Sequence, residues 1–195
     1  MTRKNDILLA ATHLLALKGF KETSMAELAK VAGVAQGTIF YHYKNKEELF
    51  LAILKSFQED IVAEFSRHRQ MRQSDSGLQM VADVIDFYLH IASQMEERFM
   101  LLHRHDAHEL ARSNEDFHTC LEAIYDCLID IFEQAILAGR EDGSIDDCSP
   151  RRMAMIIFTL VDGLVRFHTY NLYDVGSLYE DVVQSCKAML KKNIP

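Results

Sequence analysis

Three observations predict an all-α protein. Apolar residues recur at spacings of three and four along nearly the whole chain, which is the period of a helix face. Two prolines and eight glycines in 195 residues are too few for the many turns of a sheet protein. Polar capping residues precede the apolar runs, and glycines or polar stretches follow them. Together these mark about nine helices, three over residues 1–50 and a larger set over residues 51–195, and the two stretches are expected to be separate domains.

The first helix spans Thr2 to Leu17, with Ile7, Leu8, Ala11, Leu14 and Leu15 apolar, and Gly19 ends it. The second follows Ser24, which has with Glu27 the spacing of a capping box. In such a box the serine oxygen takes a free N–H of the first turn, and the glutamate reaches back to the serine N–H. Gly33 stops this helix because glycine enters the left-handed turn conformation without strain. Ala35 to Tyr43 is a short third helix, with Ile39 inward. Asn45 and Glu48 repeat the box spacing and open one long helix from Glu47 to about Gln70. A polar break, Gln73 to Gly77, precedes Leu78–Glu97, which is apolar on more than one side and therefore expected to be central. Phe99 to Ala111 reads as one further helix. Ser113 and Asp116 cap Glu115–Ala138, closed by Gly139. Ser149 caps Arg151–Leu172, with Pro150 at the first position, where its missing N–H costs nothing. Ser177, with Glu180, caps the last helix, Leu178–Lys191.

The second and third helices and the glycine turn between them make a helix-turn-helix, whose second helix lies in the major groove of DNA. Gln36, Thr38, Tyr41 and His42 are left on the outer face of that helix. Glutamine bonds an adenine edge in two places, and threonine reaches a base or a phosphate. Lys46, beside the start of the long helix, adds a positive charge to an N-terminus that already favours a phosphate. The stretch AGVAQGTIFYHYKNKEELF closely resembles the DNA-binding core of the TetR family of bacterial repressors, and the resemblance runs from about Asp6 to Leu51. It implies a three-helix helix-turn-helix DNA-binding domain, joined by the long helix to a larger helical domain for ligand binding and dimerisation. It also implies DNA contacts at Gln36, Thr38, Tyr41, His42 and Lys46, and Ser24 and Gly37 complete the candidate set. Ala35 departs from the pattern, standing where the family has a capping Ser or Thr, and Phe40 stands where Tyr is common.

The net charge of −8 divides unevenly. Residues 1–50 hold seven Lys/Arg and five Asp/Glu, and the remainder holds 14 and 24. The basic part is the part expected to meet phosphates. No apolar run reaches 18 residues and no signal-peptide pattern opens the chain, so a cytoplasmic protein with no membrane partner is expected. Four widely spaced cysteines, Cys120, Cys127, Cys148 and Cys186, fit reduced thiols rather than a disulfide framework. His103, His105 and His108 lie with Asp106 and Glu109 in one short segment. That spacing is of a metal-ligand kind, but polar residues on a half-exposed helix are the simpler reading, and no metal is expected. No catalytic or nucleotide-binding motif is present, so neither enzyme activity nor a cofactor is expected.

The body is rich in Met, Phe and Tyr, residues that at helical spacing are ordinarily plain core. The family resemblance implies an effector pocket there, with candidate lining residues Phe87, Met95, His103, Tyr125, Phe158, Asp162, Arg166 and His168. Asp162 and Arg166, four apart, serve equally as an internal ion pair. The resemblance also implies a homodimer through the last two helices, with Met153, Phe158, Val161, Val182, Cys186 and Met189 as candidate interface residues. The expected function is that of a transcriptional regulator, a repressor released from double-stranded operator DNA by a small apolar or amphipathic effector. The alternatives are a metal- or redox-responsive regulator, and a helical small-molecule-binding protein with a vestigial DNA-binding unit.

Overall fold

The computed structural model describes residues 3–72 and 74–191, and among them there are helices and no strand. Ten α-helices follow in order: α1 Arg3–Lys18, α2 Met25–Val31, α3 Gln36–His42, α4 Lys46–Met71, α5 Gly77–Gln94, α6 Glu96–His103, α7 His105–Ser113, α8 Glu115–Glu141, α9 Pro150–Thr169 and α10 Tyr179–Leu190. A 3-10 turn, Gly176–Leu178, precedes α10. Thr2, the expected start of the first helix, and Gln73, in the expected break, lie outside the described residues. No helix of the described residues is long and apolar enough to cross a membrane.

The tenth helix arises from a break that periodicity does not reveal. Phe99–Ala111 reads as one helix, but Arg104 is extended (φ −70°, ψ 146°), ending α6 and opening α7. One partner distant in sequence and one nearby hold the break. Arg104 Nη1 donates to Ala16 O at 3.1 Å, and its Nε donates to Asp106 Oδ2 at 3.3 Å. Met95 similarly leaves helical geometry (φ −116°, ψ 34°), so α5 stops short of Glu97.

Several caps also differ from expectation. Asn114, not Ser113, caps α8, its Oδ1 accepting Asp116 N–H at 3.0 Å. Ser149 and Ser177 make no side-chain cap, although Pro150 does open α9. Helix α8 runs past Gly139 to Glu141. Gly139 is there for contact rather than termination, since a Cβ built on it would stand 2.4 Å from Ile145 Cδ1, and one built on Gly77 would stand 1.9 Å from Gly139 N.

The chain divides into two compact units, Met1–Asp60 with Met95–Ile124, and Ile61–Gln94 with Tyr125–Pro195. Helices α4 and α8 contribute residues to both. In the first unit, Ile7, Leu15, Leu28, Ile39, Leu49 and Phe50 are fully buried. Phe50 stacks on Phe20 at 5.6 Å and meets Phe117 at 5.7 Å, and Phe57 meets Phe99 edge-on at 5.1 Å. In the second unit, α5 is the buried helix that its pattern predicts, through Val81, Val84, Ile85, Tyr88 and Ile91. Tyr88 packs on Phe132 (6.1 Å) and Phe158 (5.7 Å), and Phe158 meets Tyr125 (6.1 Å). Each such side chain contributes about 1.5–3 kcal/mol by burial, so these clusters dominate the stability of their units.

Candidate functional site

The helix-turn-helix is built as its sequence dictates. Ser24 sits in extended backbone and its hydroxyl oxygen accepts Glu27 N–H at 3.2 Å, opening α2. Gly33 takes φ +66° and turns the chain. Helix α3 begins at Ala35 without a side-chain cap. Ile39, fully buried, anchors its inner face. The outer face presents Gln36 and Gly37, with Thr38 and His42 half-buried and Tyr41 85% exposed. Tyr41 and His42 meet edge-on at 5.0 Å. Phe40 is also exposed. This row offers amide, hydroxyl and imidazole groups to an outside partner from one short, pinned helix.

Two of the candidate DNA-binding residues also make contacts within the chain. Ser24 is committed to its cap. Lys46 donates from Nζ to Thr23 O at 2.7 Å and to Phe20 O, and the ammonium lies 4.2 Å from the Phe20 ring centroid. Burial lowers its pKa, against the opposing pull of Asp106 and Glu22. The first residue of α4 is thereby stapled to the turn between α1 and α2. Asn45 Oδ1 accepts Glu48 N–H at 2.8 Å, while Glu48 accepts Lys44 N–H at 2.7 Å, one residue before the partner that a capping box requires.

The same turn is also held by residues that sequence reasoning missed. Gly19 has φ +90°, and a Cβ there would stand 2.5 Å from Arg104 Nη2. Asp106 Oδ2 accepts Phe20 N–H at 3.1 Å, and Lys21 pairs with Glu109 at 2.8 Å. Farther along α1, His13 meets Glu97 at 2.5 Å. The α6–α7 junction is therefore a clasp on the end of α1. In sequence its histidines draw the eye, but Arg104 and Asp106 between them make the contacts. His103 is buried beside Phe99 (6.2 Å), and His105 lies 4.0 Å from a Glu109 already paired with Lys21. Among the described residues no group of three His, Cys, Asp or Glu could hold a metal ion.

The eight candidate effector-lining residues are divided between the units, with Met95 and His103 in the first and the rest in the second. Phe87 and Phe158 are packed among other aromatic side chains and do not line the cavity beside His168. Asp162 does not wait for a ligand either, since it accepts the Tyr88 hydroxyl at 2.7 Å. Burial, and then the Asp162 charge, push the Tyr88 phenol well above its ordinary pKa and that of Tyr125 to about 12. Arg166 is exposed. His168 alone of the eight lines a cavity of about 410 Å³ in the second unit. Leu89 and Ala92 of α5, Leu164 and Val165 of α9, and Val175 supply its apolar walls.

The candidate dimer face also shifts. Phe158, Val161 and Cys186 point into the second unit's own core, while Met153 and Val182 are half-buried. The apolar side chains that α9 leaves outside are Met155, Ile156 and Leu160, at 50%, 47% and 45% exposure, with Met189 outside on α10. No atom lies within 4 Å of a Cβ built on Gly163. All four cysteines are free. Burial raises the thiols of Cys120 and Cys127, and that of Cys186 to about 11, so they stay protonated and unreactive at neutral pH.

Residues 7–53 match the family model described as bacterial regulatory proteins, tetR family. The chain is 23% identical over 182 residues to the fatty acid metabolism regulator protein of Bacillus subtilis, covering 92% of this chain and 91% of that protein. It is 28% identical over 178 residues to the HTH-type transcriptional regulator TtgR of Pseudomonas putida, covering 83% and 77%. Among solved structures, the fatty acid degradation regulator FadR of Bacillus halodurans superposes with a TM-score of 0.80 at 18% identity, over 98% of this chain and 97% of the other. FadR of Bacillus subtilis in complex with stearoyl-CoA gives 0.76 at 21% identity, over 95% and 98%. At these identities the structural likenesses establish the fold.

Proposed function

We propose that this chain, a transcriptional regulator of the tetR family, binds double-stranded operator DNA as a homodimer and is released by a small apolar or amphipathic effector. The observation that carries the reading is the exposed row on α3, Gln36, Gly37, Thr38, Tyr41 and His42, on a helix-turn-helix whose sequence matches the family model. Residues 1–50 read DNA and residues 51–195 bind the effector and dimerise, and neither part catalyses a reaction. Two copies present two α3 helices to half-sites about 34–36 Å apart, or a multiple of that. The names of two relatives, a fatty acid metabolism regulator and a FadR complexed with stearoyl-CoA, support an effector with an apolar chain. The effector acts by binding the DNA-free arrangement more tightly, since equal affinity for both arrangements shifts nothing. Helix α4, which carries Lys46 at its first residue, relays the change.

Fluorescence anisotropy on DNA from the region upstream of the gene tests this. Affinity should fall steeply with salt, with a log–log slope of about −0.9 per neutralised phosphate. Gln36→Ala should cost about 1–3 kcal/mol on the operator and almost nothing on mixed-sequence DNA. A flat salt response, or equal losses on both DNAs, overturns the reading.

A further inference from the structure

The cavity of about 410 Å³ lies within the size range of small-molecule sites. Its walls are apolar, and its polar groups stand where α9 runs into the connector to α10. These are Ser93 of α5, His168 and Thr169 of α9, Asp174 of the connector, and Tyr179. Their charges are one-sided. Asp174 is the only carboxylate among the lining residues, and neither lysine nor arginine is among them. Arg166 precedes His168 by two residues, about 200° around the helix, and is exposed. The Tyr179 hydroxyl donates to Asp86, which also pairs with Arg72 at 3.2 Å, so that phenol is engaged outside the cavity. Asp174 is exposed at the rim, and its Oδ1 accepts Gly176 N–H at 3.2 Å.

We propose that this cavity is the effector site, and that it takes an apolar amine whose ammonium pairs with Asp174 while its hydrocarbon body lies against Leu89, Leu164 and Val165. The proposal rests on the effector reading above and specifies its chemistry. A fatty carboxylate or a coenzyme A ester would set negative charge beside Asp174 with no lysine or arginine of the lining to offset it. An ammonium group replaces its hydration with a carboxylate partner, and the chain leaves water for an apolar wall. The FadR complexed with stearoyl-CoA would then share the apolar requirement with this chain but not the headgroup.

Calorimetric titration of the full-length protein without DNA separates the possibilities. The probes are decylamine, decanol, decanoate and decanoyl-CoA, each below its micelle concentration. Decylamine should bind about fivefold more tightly than decanol, the gain of a partly exposed ion pair, and decanoate more weakly than either. Asp174→Asn should bring decylamine down to the level of decanol and leave decanol unchanged. Ala92→Phe should fill the cavity and abolish binding of all four. If that variant fails to fold, Asp174→Asn on the rim still decides the matter. Decanoate or decanoyl-CoA binding as tightly as decylamine, decylamine binding indifferent to Asp174→Asn, or no binding of any probe overturns the proposal. Decylamine that binds as described yet leaves the operator complex intact supports the site and overturns the release mechanism alone.

Discussion

Tyr88 shows how one residue sets the interior of the second unit. It is buried, packed against two phenylalanines, and donates its hydroxyl to Asp162 at 2.7 Å. Tyr88→Phe removes one buried hydrogen bond to the Asp162 carboxylate, which costs about 1–3 kcal/mol, readable in urea unfolding. The pair also gives the protein an alkaline limit. The fold holds the Tyr88 phenol neutral with a pKa well above normal, and that of Tyr125 at about 12, whereas both titrate near 10 when unfolded. The stability this brings is complete below pH ~10 and is lost as pH climbs above it, through about 12 for Tyr125. Tyr88→Phe should flatten that loss in melts taken across the window, and parallel curves for the two proteins would refute the account. The sequence marked Asp162 as a polar group on an apolar helix. It offered Arg166 as an ion-pair partner or a ligand contact, because only neighbours four apart are visible along a helix, whereas Tyr88, which donates to Asp162, lies 74 residues away.

At the scale of elements, helix-turn-helix and long helices were legible because period, caps and glycines all agree locally. The α6–α7 break was not, because its cause lies on α1. Arg104 leaves helical geometry to reach Ala16 O, and Asp106 to accept Phe20 N–H. This clasp and the Lys46 staple hold one and the same turn. Arg104→Ala should therefore loosen the end of α1, with a stability loss of about 1–3 kcal/mol and weaker operator binding. Arg104→Lys should restore little, since an ammonium lacks the planar fork that reaches two acceptors. Full rescue by lysine in melting and anisotropy measurements would show that charge alone matters there. The cavity beside His168 escaped sequence reasoning for a similar reason. Its walls come from α5, α9 and the connector, and the aromatic residues that suggested a pocket had already filled one another's space.

For the whole molecule, the unsolved surface is the apolar stripe of α9. Met155, Ile156 and Leu160 expose about half their area each, beside a glycine that nothing crowds. A twofold partner covers such a stripe with its own copy. Leu160→Glu places two like charges across that axis and should give monomers by light scattering. Operator affinity should fall with it, because each monomer holds a single half-site. A wild-type protein that is strictly monomeric at micromolar concentration would remove this account. Phe158, which the sequence offered as an interface residue, is the wrong place for the test, since a charge there would unfold the second unit's own core.

Helix α3 has seven residues and no side-chain cap, and a helix so short has little stability of its own. Its amides should exchange with solvent rapidly in the free protein and slowly on the operator, because the DNA finishes the folding of the helix that reads it. Part of the binding free energy is then used to order α3, and affinity is tuned by how loosely that helix is held. Ala35→Ser supplies the missing cap, worth about 1 kcal/mol. It should slow exchange in the free state and tighten operator binding about fivefold. Unchanged exchange with unchanged affinity would mean that α3 is already rigid.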